Sequence, residues 1–238
     1  MAKNKSNKAI LVLESPWQLD DGDANRSSVI PFIEGIAKLA GDTDVYYANF
    51  YDLASFRKAF ECLCKLKHKN TIVYVAAHGH RKSIGSANLG KCLNEISAAS
   101  HEYNITGVML GSCYVGSVAD DIIENIQGSN LKWCVGYSAA TYWLQSTLID
   151  CSIISKMIEL KNKDFSKRET IIKTLSQSMA PFDSSHPIGI GEDNNSEVAL
   201  IDAMEFYIQP DGQGHKAKAV TKDIFARPSK TINTICLP

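Results

Sequence analysis

The chain has 238 residues, 45% of them apolar and 21% charged, with a formal net charge of −1. These values describe one large or two small globular domains and exclude a disordered, collagenous or coiled-coil chain. The near-neutral charge argues against a dedicated nucleic-acid binder. The longest unbroken apolar run, Ile72 to Ala77, is far shorter than the ~20 residues that cross a bilayer.

The charge sits unevenly. Residues 1–8 carry Lys3, Lys5 and Lys8, and residues 211–238 carry a second basic excess, so the middle is acidic. This divides the chain into a basic N-terminal tail (1–8), a central domain (9–210) and a basic C-terminal extension (211–238). The basic start is followed by no adequate apolar stretch and no cleavage site, so a cytoplasmic location is expected, with no membrane association. There are seven cysteines, with no CxxC pair and no histidine at zinc-ligand spacing. Neither a metal nor a cofactor is expected. The cysteines read mostly as reduced core thiols, and an odd, scattered set leaves room for one with a chemical role.

In chain order, Lys8 to Glu14 (KAILVLE) reads as a buried strand. Ser27 or Ser28 is placed to cap a helix from Val29 to Ala40. A strand over 45–50 and an amphipathic helix opening at Asp52 follow, with Leu53, Phe56, Ala59, Phe60 and Leu63 at spacings of three and four. The strongest strand, Thr71 to Ala77, stops at His78-Gly79-His80. A helix over 89–103, a strand over 106–110 ending at Gly111-Ser112-Cys113, a helix over 115–127 and a strand over 131–137 come next. Helical stretches over 142–162 and 167–179, a loop over 181–195 and a final strand within 198–208 complete the pattern. Alternating strands and helices of this kind give an α/β fold: a mostly parallel sheet of about six strands with helices on both faces. Sites in such sheets lie at the C-terminal strand ends.

Two strand ends carry chemistry. If the strands ending in His78 and Cys113 are neighbours, an imidazole and a thiol share one crevice. A cysteine attacks as the thiolate, and a nearby histidine can take its proton and return it to a leaving amine. Gly79 lets its backbone N–H approach a substrate carbonyl, an oxyanion-hole role. A helix starting near Val115 would favour the thiolate at its positive end. His80 reads as a rim residue, and Trp133, Tyr137, Tyr142 and Trp143 as core packing with a share in a substrate groove.

TIVYVAAHGH followed by TGVMLGSCYVGS resembles the caspase-like (clan CD) cysteine peptidases, most of all their bacterial CHAT-type branch. The resemblance implies a three-layer caspase-hemoglobinase-like fold and a cysteine endopeptidase hydrolysing peptide bonds through a Cys-His dyad. It implies His78 as general base, Cys113 as nucleophile and Gly79 as oxyanion donor. The Gln-Ala-Cys-x-Gly run of eukaryotic caspases is missing here, so cleavage after aspartate is not implied. By the same resemblance, the loop after the first strand and the segment after the fifth reach the substrate pocket. They contribute Asp21 and Asp150, which would favour a lysine or arginine before the cut. A protein or peptide substrate and a restraining regulatory partner are the partners this reading needs.

Two other readings compete. A flavodoxin-like cysteine hydrolase or amidotransferase would use the Gly111–Gly116 run as a nucleophile elbow, with His186 as its histidine. A caspase-like binding or pseudoprotease module would keep the fold without the chemistry.

Overall fold

Runs of β-branched residues buried on both faces make strands, and three-four spaced apolar residues make the helices that cover them. The computed structural model describes residues 6–16, 27–193, 195–212 and 214–226. In chain order the elements are β1 (Lys8–Glu14), α1 (Ile30–Ala40), β2 (Thr43–Asn49), α2 (Leu53–Leu63), β3 (Asn70–Ala76), the short strands β4 (Gly79–His80), β5 (Ser83–Ile84) and β6 (Ala87–Asn88), and α3 (Leu89–Tyr103). Then come β7 (Ile105–Gly111), α4 (Ala119–Ile126), β8 (Trp133–Tyr137), β9 (Ala140–Thr141), α5 (Trp143–Met157) and α6 (Arg168–Met179). The chain continues through β10 (Pro187–Ile190), β11 (Glu197–Ala199), α7 (Leu200–Ala203), β12 (Met204–Ile208), β13 (Lys218–Ala219) and α8 (Thr221–Phe225).

The central sheet has seven strands in the order β13-β12-β8-β7-β3-β1-β2. Its pairs from β2 through β8 are parallel, while β12 runs antiparallel to β8, and β13 to β12. Alternation along β1 shows the layering. Ile10 and Val12 join the core beneath α1, α5 and α6, while Ala9, Leu11 and Leu13 join the core beneath α2, α3 and α4. The fold is therefore the three-layer α/β arrangement that the strand-helix alternation implies, with one more strand than expected.

Local chemistry sets the helix starts. Asp52 and Ser55 form a capping box at α2, Asp52 accepting the Ser55 N–H at 2.8 Å. At α1 the Ser28 hydroxyl accepts the Ile30 N–H at 3.3 Å, as expected of one of the two serines, and the neighbouring strand adds a carboxylate. The N-cap residue is Val29, whose N–H donates to the buried carboxylate of Glu14 at 2.9 Å, and Ser28 Oγ donates to the same carboxylate. Burial pushes the Glu14 carboxyl up, while these donors act against that shift. The basic segment after residue 210 also belongs to the core in part. β13 pairs with Tyr207 and Ile208, and Val220 and Ile224 are buried beside Phe206. No helix among the described residues is long and apolar enough to cross a membrane.

Candidate active site

β3 and β7 are adjacent parallel strands, and their register pairs Ala76 with Gly111. His78 and Cys113 each lie two residues beyond that pair, at equivalent positions on strands about 4.8 Å apart. The condition set by the sequence, that these strands be neighbours, is met. His78 is exposed, and its carbonyl accepts the Gly85 N–H at 2.6 Å, which folds the chain back into the β4-β5-β6 hairpin pair. Cys113 is half-buried.

The two strand ends touch through a glycine. A Cβ placed on Gly79 would lie 2.4 Å from the Cys113 carbonyl oxygen and 2.8 Å from Ser112 Cβ, so no larger residue fits without moving the cysteine. Directly after Cys113, Tyr114 adopts a left-handed conformation at φ +60°, which is uncommon outside glycine. Its N–H donates to the Ala139 carbonyl at 3.3 Å, and its ring meets His80 edge-on at 5.7 Å. A residue held in such a conformation beside a candidate nucleophile fits the habit of active sites to store local strain.

The helix expected at Val115 is a short 3-10 turn, Val115–Ser117, and α4 begins only at Ala119. The turn is pinned by Tyr207, whose hydroxyl donates to the Gly116 carbonyl at 2.8 Å. Cys113 therefore does not sit at the N-terminus of α4, and the thiolate stabilisation expected from that helix is not provided. The same break removes the strand-to-helix elbow that the rival reading needs. His186 lies exposed in the turn before β10.

Asp150, on α5, lies at the floor of a cleft that also includes Ser112, Cys113, Thr141 and Trp143. It is 1% exposed. Tyr74 donates to its Oδ2 at 2.7 Å and Tyr137 to its Oδ1 at 2.6 Å. Burial pushes its carboxyl up to about 7, against the lowering effect of the two hydroxyls. Gly111 makes room for this group: a Cβ there would meet Asp150 Oδ2 at 2.8 Å and the Tyr74 ring at 2.7 Å. The loop acid Asp21 lies outside the described residues.

Sequence reasoning took Tyr137 for core packing and passed over Tyr74. A tyrosine inside an apolar strand gives no sign of the carboxylate it will meet, because that acid arrives from a helix 76 residues later in the chain. Buried thiols are poor nucleophiles here. Desolvation pushes Cys64, Cys92 and Cys151 up to about 12. Among the described residues no group of three or more His, Cys, Asp and Glu side chains could hold a metal ion.

No family model matches the chain. No curated protein matches it either. Among solved structures, it is similar to a secreted C11 cysteine protease from Bacteroides thetaiotaomicron, at 10% sequence identity and a TM-score of 0.49. The match covers 85% of this chain and 66% of that protein, just under two thirds of its length.

Proposed function

We propose that the chain is a cysteine-type endopeptidase of the caspase-like group, with Cys113 as nucleophile, His78 as general acid-base and the Gly79 N–H as oxyanion donor. The observation that carries this reading is the register of β3 and β7, which places His78 and Cys113 at matching positions beyond the Ala76–Gly111 pair. The contact of Gly79 with the Cys113 backbone supports it, since it ties the two strand ends together.

In this mechanism His78 takes the Cys113 thiol proton and the thiolate attacks the peptide carbonyl carbon. A C–S bond forms as the carbonyl electrons move to oxygen, where a backbone donor compensates the charge. The intermediate collapses, the C–N bond breaks, and the His78 proton goes to the departing amine. Water then hydrolyses the thioester and restores the thiol. Asp150 lines the cleft that would take the side chain before the cut. A cytoplasmic location, a protein or peptide substrate, and control by a partner protein belong to the same proposal.

The test is hydrolysis of a mixed peptide library by the full chain and by Cys113→Ala and His78→Ala. Cleavage by the wild type that falls at least a hundredfold in both variants is the expected result. Turnover retained in Cys113→Ala overturns the assignment.

A further inference from the structure

The cleft beside Cys113 holds polar atoms that the chain leaves without partners. Resting on the hydrolase reading above, we propose that this cleft selects a short carboxamide side chain before the cut bond, asparagine ahead of glutamine, over lysine, arginine, aspartate and leucine.

Hydrogen-bond capacity is the first ground. Ser112 Oγ and Trp143 Nε1 are buried and have no hydrogen-bond partner among the described residues, and both residues line the cleft. Ser112 is 2% exposed, so water does not readily make up the loss. The hydroxyls of Ser146 and Thr147, also in the lining, donate to backbone carbonyls of Tyr142 and Trp143. They therefore offer only lone pairs to a ligand. The cleft thus presents one N–H that needs an acceptor, the Ser112 hydroxyl, and several oxygens, including the Asp150 carboxyl, that accept donors. A carboxamide supplies both kinds, one carbonyl oxygen and two N–H groups. Lysine and arginine supply donors only and leave the indole N–H unpaired. An ionised aspartate supplies acceptors only and leaves the oxygens of the lining without a donor. Leucine leaves the Ser112 hydroxyl and the Trp143 indole N–H unpaired, a loss of the kind that lets polar sites reject apolar analogues strongly.

Space is the second ground. Counting its open mouth, the cleft encloses about 270 Å3, but the centre of a water molecule can move within only about 10 Å3 of it. That is room for one water-sized group, so only the tip of a short side chain enters while the walls stay in place. The long stem of lysine or arginine reaches Asp150 only if the walls move, and two of those walls are fixed. Tyr74 and Tyr137 hold the carboxyl, and Trp143 packs edge-on against Phe32 at 5.7 Å.

The experiment uses peptidyl acyloxymethyl ketones identical except for Asn, Gln, Lys, Arg, Asp or Leu next to the ketone. In each, the Cys113 sulfur bonds to the methylene carbon and the acyloxy group leaves as a carboxylate. Labelling rates at Cys113 are followed on the full chain by peptide-level mass spectrometry. The asparagine probe should react at least about tenfold faster than the lysine and leucine probes. Trp143→Phe should shrink the asparagine-to-leucine ratio about tenfold, and Ser112→Ala should shrink it in the same direction. A thermal melt of each variant establishes that it is folded, and the serine variant carries the test if the indole variant is not. A lysine or arginine probe reacting fastest, equal rates for asparagine and leucine, or an unchanged ratio in the folded variants overturns the proposal. Methyl methanethiosulfonate, which has no such side chain, separates the two readings. If it modifies Cys113 faster than the exposed Cys62 while the probes show no selectivity, the carboxamide pocket is wrong and the hydrolase reading stands. If it modifies Cys113 no faster than Cys62, both fall.

Discussion

Gly79 carries the tightest constraint at the site. An alanine there drives a methyl group into the Cys113 carbonyl, with a separation of 2.4 Å that cannot persist. Because the obstacle is backbone, relief must come from shifting one strand end. Gly79→Ala is expected to cost about 1–3 kcal/mol of stability and to reduce Cys113 reactivity, checked by chemical denaturation and by thiol modification of the same preparation. The motif His-Gly was legible in the sequence as a strand ending. The contact that explains the glycine was not, because it joins residues 34 positions apart in the chain.

Asp150 makes a pH prediction. Its carboxyl titrates near 7 in the folded protein against an ordinary 3.8, because burial disfavours the charge. Between about pH 4 and 7 the folded state therefore holds a proton that the unfolded state has released. The stability linked to that proton is fully present below pH 4, falls as pH rises towards 7 and levels off above. The loss is on the order of 4 kcal/mol for a shift of this size. Asp150→Asn should remove this slope. Urea unfolding of both chains from pH 4 to 8 measures it, and parallel pH profiles would show that Asp150 is not the group responsible.

At the scale of elements, the strand-helix alternation was legible because each strand is a short, doubly buried run. The short pieces were not. The β4-β5-β6 strands span two residues each, and the 3-10 turn after Cys113 spans three, too few for any periodicity to register. The stretch read as one helix over 115–127 divides at Val118, where the backbone leaves helical conformation. What holds the turn is a hydroxyl from a strand 91 residues later, Tyr207 on the Gly116 carbonyl. Tyr207→Phe keeps the ring and orphans that carbonyl. It is expected to cost about 1–3 kcal/mol and to slow modification of Cys113 more than that of Cys62. Equal slowing at both cysteines would mean that the turn does not position Cys113.

Across the whole molecule, the basic segment that follows residue 210 packs in part against the central sheet and its core. Net charge records solvated side chains, and residues 211–226 mix exposed charges with buried Ala217, Val220 and Ile224. Each buried Val or Ile side chain contributes about 1.5–3 kcal/mol. A chain ending at residue 210 should therefore show a lower melting temperature than one ending at 226.

The central claim is that His78 activates Cys113 across adjacent strand ends, and thiol modification within one molecule tests it most directly. The rate of modification by methyl methanethiosulfonate at pH 6.5 is measured for Cys113 and for the exposed Cys62, in the wild type and in His78→Ala. The expected result is a Cys113 rate well above that of Cys62 in the wild type, falling to the Cys62 rate when the imidazole is removed. Equal rates at the two cysteines in the wild type, or a Cys113 rate unchanged in His78→Ala, would contradict the account.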